Sequence, residues 1–214
     1  GGGETVESKS LLRQKKWYKA SKVKLKTQSV VHKIDRNDKT ITVNNGDVVK
    51  YDKLVIASGA VPKELPSSKG IGNAFVLRQP ADANAIRQAA NNADSVVIIG
   101  GGYIGLEVAA SLRKKGMEIT VIEAGERILA RVASKPLANY LNKLHQDNGV
   151  TVITNVGVEG INQESGIFAS VTLSDGRVVS GDMLITGIGV YPDSQLALEA
   201  GLETQFETGG AILV

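Results

Sequence analysis

Between Ser95 and Glu123 the chain reads SVVIIGGGYIGLEVAASLRKKGMEITVIE, and few folds accept such a stretch. Val96 to Gly100 is an apolar run without polar alternation, the pattern of a central strand in a parallel sheet buried on both faces. Gly100, Gly102 and Gly105 then follow in G-x-G-x-x-G spacing. From Tyr103 onward apolar residues recur at helical intervals, at Ile104, Val108 and Leu112, with Arg113, Lys114 and Lys115 in the last turn and Gly116 placed to stop the helix. A second apolar strand, Ile119 to Ile122, ends in Glu123.

Each part has a chemical reason. Gly100 permits a tight strand-to-helix turn, Gly102 lets the backbone approach a pyrophosphate, and Gly105 lets the helix pack close to the strand. The first N–H groups and the positive dipole end of that helix face the same pyrophosphate. Glu123 lies 18 residues beyond Gly105, where the second strand of such a unit ends. Its carboxylate can accept hydrogen bonds from the adenosine ribose hydroxyls, and a 2′-phosphate would meet a like charge, so NAD is expected over NADP. A glycine-rich turn is the bland alternative; the strand, helix and terminal acid in their required places favour the dinucleotide site.

Composition narrows the rest. At 214 residues, 42% of them hydrophobic and 22% charged, the chain is expected to be a soluble globular protein with a sizeable core in one or two domains. It has no cysteine, so disulfides, thiolate metal sites and a cysteine redox centre are excluded within these residues, and no metal site is expected. No apolar run approaches the roughly 20 residues needed to span a bilayer, and no signal peptide is visible, so a cytoplasmic setting is the default and no membrane partner is expected. Residues 1–70 hold 15 Lys and Arg against 7 Asp and Glu, whereas the remainder is acidic on balance. The excess is densest from Lys9 to Lys26 and reads as a solvated face or as a docking surface for an acidic partner.

Along the chain, Lys9 to Ala20 is a short helix candidate with Leu11, Leu12 and Trp17 as its apolar positions and Trp17 as a packing residue rather than part of a site. A strand, Val23 to Val31, and then a hairpin, with Ile41 and Val43 on one arm, Asn44-Asn45-Gly46-Asp47 at the turn and Val48 to Tyr51 on the other, lead to a buried strand, Leu54 to Ala57. Pro62 to Gly70 is a connection, and Asp82 to Asn91 a helix. After Glu123 come an amphipathic helix, Pro136 to Gln146, a strand, Thr151 to Thr154, and a second meander: Ile167 to Leu173, Val178 to Val179 and Met183 to Thr186, running into Gly187-Ile188-Gly189. His32 and His145 have no ligand or base partner nearby in sequence and read as surface or satisfied histidines. Two meanders each end in an apolar strand and a small-residue turn, A-S-G at Gly59 and G-I-G at Gly189, and only the second completes a βαβ unit.

At these residues the chain resembles the two-dinucleotide flavoprotein reductases of the pyridine nucleotide-disulfide oxidoreductase superfamily. Within them it resembles the ferredoxin, putidaredoxin and rubredoxin reductases, together with monodehydroascorbate reductase and apoptosis-inducing factor. YDKLVIASGAVPKELP, VVIIGGGYIGLEVAASLRKKGMEITVIEAGERILAR, DMLITGIGVYPDSQLALEAGLE and GGAILV carry the match. The resemblance implies an α/β protein: a Rossmann-like NAD-binding domain of parallel sheet plus β-meander over residues 79–190, flanked by parts of a truncated FAD-binding domain at 1–78 and 191–214. On that comparison the chain is a central fragment lacking the first FAD fingerprint.

The roles implied by the resemblance follow the matching positions. Gly100, Gly101, Gly102, Tyr103, Ile104 and Gly105 form the pyrophosphate loop, Glu123 with Ala124 the ribose anchor, and Arg127 and Arg131 reach the adenosine and phosphate end. Glu107 matches an acid near the nicotinamide carboxamide, or is simply an acid favoured at a helix N-terminus. Gly187, Ile188 and Gly189 form the nicotinamide-side loop, and Ala57, Ser58, Gly59 and Arg78 match FAD-proximal positions; Val61 departs from the basic residue often found there. The activity implied is an NADH:acceptor oxidoreductase, with hydride passing from nicotinamide to FAD and electrons on to a ferredoxin- or rubredoxin-type protein, and no side chain acting as acid, base or nucleophile. Two alternatives stay open: an interaction protein like apoptosis-inducing factor, regulated by NADH, and a disulfide or peroxide reductase of the same superfamily. Nucleic acid is not expected, since no groove-reading motif supports it. The exposed edge of a truncated flavin half would favour self-association, and the 214 residues alone are expected to be inactive.

Overall fold

The computed structural model describes residues 11–205 and 210–213. Contacts divide the described residues into two compact units, one of residues 62–189, the other of 11–61 with the described part of 190–213.

The first unit is built on a five-stranded parallel sheet. Its strands are β5 (Ala74–Val76), β6 (Ser95–Ile99), β7 (Glu118–Ile122), β8 (Val150–Ile153) and β12 (Met183–Thr186), in the order β5-β12-β6-β7-β8. Helices α2 (Pro80–Ala89), α3 (Tyr103–Arg113) and α4 (Lys135–Asp147) are the α-helices of this unit, which also has one 3-10 turn at Pro66–Ser68. The other covering layer is an antiparallel meander of β9 (Val158–Glu164), β10 (Ile167–Leu173) and β11 (Val178–Ser180). Alternation along the central strands divides their side chains between two cores. Val96, Ile98, Ile119, Val121, Met183 and Ile185 pack with Val108 and Leu112 of α3 and Ile86 of α2. Val97, Ile99, Ile122 and Leu184 pack with Phe168, Val171 and Leu173 of the meander. Burial on both faces explains why β6 reads as an unbroken apolar run.

The N-terminal edge of the sheet is tied by polar staples. Asp182 accepts from the N–H groups of Asp94 and Ser95 at 3.0 and 2.9 Å and from the Ser95 hydroxyl at 2.8 Å, fixing β12 beside β6. Asn73 bridges β5 to the meander, accepting from the Phe168 N–H and donating to the Asp182 carbonyl. Arg113 donates to the carbonyls of Asn148 (2.9 Å) and Met117 (3.0 Å), joining the end of α3 to the turn before β8.

In the second unit β1 (Val31–Asp35), β2 (Thr40–Val43) and β3 (Val48–Lys50) form an antiparallel sheet whose hairpin turn is the expected Asn44–Asp47. Ile34 and Val43 are buried in it, and α5 (Gln195–Glu199) packs against β1. The short strands β4 (Ala60–Pro62) and β13 (Val190–Pro192) pair, as do β14 (Thr204–Gln205) and β15 (Ala211–Ile212).

Three expectations are corrected. Leu54 to Ala57 is not a buried strand: the segment is extended without ladder bonds and Val55 is 86% exposed. A parallel-sheet strand needs a neighbour to receive its N–H and C=O groups, and among the described residues none runs beside this one. The N-terminal helix is shorter than expected, α1 (Lys15–Ala20), the first two residues of the expected helix lying outside the described ones; Trp17 is exposed, edge-on to Tyr18 and under the Arg13 guanidinium. Residues 23–30 form no strand, which begins only at Val31. His32 is exposed, and His145, on α4, is held below the usual histidine range by burial.

The Asp182 staple gives a test. Hydrogen bonds, chiefly from the Ser95 hydroxyl, hold its carboxyl below the usual range. Its contribution is therefore complete above the ordinary carboxylate pKa and is lost as pH falls through the lowered folded value. Asp182→Asn should destabilise the protein by about 1–2 kcal/mol at neutral pH in urea unfolding. The gap from the parent should shrink below about pH 4; a constant gap down to pH 3 contradicts this account.

Candidate functional site

The sheet order creates one place where neighbouring loops diverge. From β6 the chain moves outward through α3, β7, α4 and β8, then returns through the meander to β12 on the other side of β6. The crevice at the carboxyl ends of β6 and β12 is thus the topological switch point, where ligands of open α/β sheets bind.

Three glycine backbones meet there. Gly187 continues β12 and donates to the Ile99 carbonyl at 2.7 Å. A Cβ on Gly100, which has φ +109°, would stand 2.5 Å from the Gly187 carbonyl oxygen. One on Gly105 would collide with the Gly100 carbonyl oxygen. These two positions admit no side chain, and this is how α3 starts so close to β6.

Gly102 differs. It is the N-cap of α3, with φ −82°, and the nearest atom to an added Cβ is the Gly187 oxygen at 4.0 Å. A side chain there would project into open space before the helix N-terminus. The first N–H groups of α3, from Tyr103 onward, have no intrahelical partners and carry the positive end of the dipole. Tyr103 and Ile104 are exposed beside them. The space a Cβ would fill is left empty beside the donor end of α3, an arrangement that suits a pyrophosphate, with the Gly187 carbonyl oxygen 4.0 Å away as the nearest acceptor.

Glu123 directly follows β7, half-buried, and both of its oxygens are engaged. Oε2 accepts from Gly101 N–H at 2.7 Å and Oε1 from Gly125 N–H at 2.8 Å. Each oxygen keeps a further lone pair. Ala124 is exposed next to it. Arg127 turns back onto the carbonyls of its own loop, whereas Arg131 is exposed and its guanidinium lies near Gly189. Gly189 has φ +116° and accepts from Lys63 N–H at 2.9 Å; Ile188 packs against the meander-side core. Glu107 is exposed in the second turn of α3.

The flavin-side residues lie apart in the chain. In the second unit Gly59 has φ +83°, the Ser58 hydroxyl donates to the Asp193 carbonyl, and Asp193 N–H donates to Gly59 at 3.0 Å, with Ala57 exposed before them. In the first unit Arg78 is exposed after β5, its N–H bonded to Asp82 at 2.8 Å. A cavity of about 170 Å³ lined by Glu64, Lys69 and Phe75 includes none of these positions. No cluster of metal-ligating side chains occurs among the described residues, and no described helix is long and apolar enough to cross a membrane. Sequence reasoning missed the contribution of Ile128 and Leu129, which clasp Gly101; Leu129 sits at φ +54°, and a non-glycine residue in that region leaves no mark in sequence.

A parallel α/β unit whose glycine loop opens at a switch point defines a Rossmann-like domain. Known proteins carry the classification further. The family model described as "Pyridine nucleotide-disulphide oxidoreductase" matches residues 3–214, and the chain belongs to that family. Rhodocoxin reductase of Rhodococcus erythropolis is 34% identical over 89% of this chain and 45% of its own length. The probable ferredoxin reductase CtmF of Castellaniella defragrans is 39% identical over 87% of this chain and 46% of its own. Among solved structures, the covalent putidaredoxin reductase–putidaredoxin complex superposes with a TM-score of 0.86 at 32% identity, covering 94% of this chain and 50% of that one. The chain thus spans slightly under half the length of the curated relatives it matches.

The contrast between the glycines is testable without ligand. Gly105→Ala should cost on the order of 2–3 kcal/mol through overpacking, while Gly102→Ala should stay within about 0.5 kcal/mol of the parent. Denaturant unfolding of the two variants measures this; equal losses contradict the geometry described.

Proposed function

We propose that residues 62–189 bind NADH across the switch point and hold its nicotinamide for hydride transfer to FAD, in a reductase that passes electrons to a ferredoxin- or rubredoxin-type protein. The observation that carries this reading is the open space at Gly102, faced by the N–H groups of α3 and flanked by Glu123. The ferredoxin and rhodocoxin reductases among the relatives support the electron-transfer half, and the complex of a similar reductase with putidaredoxin supports a protein acceptor.

Bound, the nicotinamide and the flavin supply the redox chemistry. The chain's own residues bind and orient. Backbone N–H groups of Gly102, Tyr103 and Ile104 take the pyrophosphate at the positive end of α3. The free lone pairs of Glu123 take the ribose hydroxyls, and its charge opposes a 2′-phosphate. Gly187 to Gly189, with backbone rather than side chain at the crevice wall, leave room for the nicotinamide ring. Exposed Arg131 supplies positive charge beside that loop. No proton-transferring side chain is required. The flavin half of the proposal rests on Ala57, Ser58, Gly59 and Arg78 as matched positions.

Calorimetric titration with both nucleotides tests the proposal. NADH should bind more tightly than NADPH, and Glu123→Ala should weaken NADH by about 1–3 kcal/mol while erasing the preference. Gly102→Val should abolish NADH binding and keep the circular dichroism spectrum. Equal affinities, a preference that survives Glu123→Ala, or a folded Gly102→Val that still binds NADH would each overturn it.

A further inference from the structure

Arg127 and Arg131 follow Glu123 on the same loop, yet they are disposed differently. Arg131 is exposed, while the Arg127 side chain is only 19% exposed. Its guanidinium is turned onto its own backbone: Nη2 donates to the Ala130 carbonyl at 3.0 Å, and Nη1 lies 3.4 and 3.5 Å from the carbonyls of Leu129 and Ile128. The remaining Nε faces exposed Glu126 at 3.7 Å. A rigid cationic fork is suited to gathering convergent carbonyls, which a point-charge ammonium cannot span.

Those carbonyls belong to a loop under constraint. Leu129 occupies the left-handed region at φ +54°, which a branched residue enters only when its surroundings hold it there. Its side chain and that of Ile128 are buried with Leu106 of α3 and Ala138 of α4. In this conformation Leu129 N–H donates to the Gly101 carbonyl at 2.9 Å, while Gly101 N–H donates to Glu123 at 2.7 Å. An added Cβ on Gly101 would meet Ile128 at 2.9 Å. Both polar backbone groups of the middle glycine are therefore held by the segment after β7, not by the glycine loop itself.

We infer that Arg127 is a positioning residue: by gathering the carbonyls of 128–130 it fixes Leu129 on Gly101 and so sets the shape of the glycine loop, without touching the dinucleotide. Its effect on affinity rests on the NADH reading above; its effect on the loop does not. The two can be separated by experiment. Arg127→Ala and Arg127→Lys in the full chain should each raise amide exchange at Leu129 and Gly101 about tenfold with no nucleotide present. Both should also raise the Kd for NADH about tenfold. The slope of log Kd against log salt should stay parental, because no contact between a cation and a phosphate is removed. A role confined to stability would leave the Kd of the folded protein unchanged. Rescue by Lys together with a flattened salt slope in the Ala variant would mean direct charge contact and overturn the inference, as would unchanged exchange at Leu129. If the parent itself fails to bind NADH, the proposed function fails, and exchange at Leu129 and Gly101 still decides the positioning claim. Should Arg127→Ala unfold, Arg127→Lys carries the same comparison.

Discussion

The close approach of three backbones at Gly100, Gly105 and Gly187 is the constraint on which the larger unit depends. Helix α3 can begin directly over the end of β6 only because Gly105 has no Cβ to meet the Gly100 carbonyl, and β12 can lie beside β6 only because Gly100 has none to meet Gly187. The same contact fixes where the unit is open. With side chains excluded on both sides, the one position that would tolerate a substituent, Gly102, faces solvent at the positive end of the helix. A steric requirement of packing thus leaves open space at the positive end of α3, where the proposed diphosphate would sit.

Around this point the sheet is held by unlike layers. Apolar packing against the helices and the meander buries both faces of β6, β7 and β12, whereas the staples at the opposite edge, Asp182, Asn73 and Arg113, are polar. The loop after β7 couples the layers to the glycine turn: Ile128 and Leu129 are anchored in a core with α3 and α4 and present their backbone to Gly101. Glu123 and Arg127 then divide the work, one carboxylate drawing in two N–H groups and one guanidinium gathering carbonyls. Glu123 faces two tasks in the proposed complex, holding the loop and holding the ribose.

Much of this was legible in the sequence. Burial on both faces made Val96 to Ile99 of β6 an unbroken apolar run and β7 an apolar strand interrupted at Thr120, the helix periodicity and Gly116 marked α3, and the glycine spacing located the turn. The hairpin at Asn44–Asp47 and the β10–β11 pair around the turn at Ser174–Arg177 were also readable, because turn chemistry and alternation agree there, whereas Met183 to Thr186, expected as the last strand of that meander, pairs instead with β5 and β6 in the parallel sheet. Other elements carried no such signal. β5 is three residues long and is a strand only because β12 pairs with it. β9 mixes Val158 and Ile161 with Asn162, Gln163 and Glu164 and takes its register from β10. Leu54 to Ala57 has strand composition and no strand, since composition cannot supply a neighbour. At the site, residue types pointed to Glu123 and the glycines, but nothing in the sequence distinguishes Arg127, folded onto carbonyls, from Arg131, exposed beside Gly189.

The most direct test of the central claim, that the glycine turn at the switch point is a dinucleotide site, is amide chemical-shift mapping of the ¹⁵N-labelled protein during titration with NADH. The account predicts the largest shifts at Gly102, Tyr103, Ile104 and Gly105, with a second group at Glu123 to Gly125 and Gly187 to Gly189. Shifts centred on the Glu64 to Val76 cavity, or none at the start of α3 at saturating NADH, would contradict it.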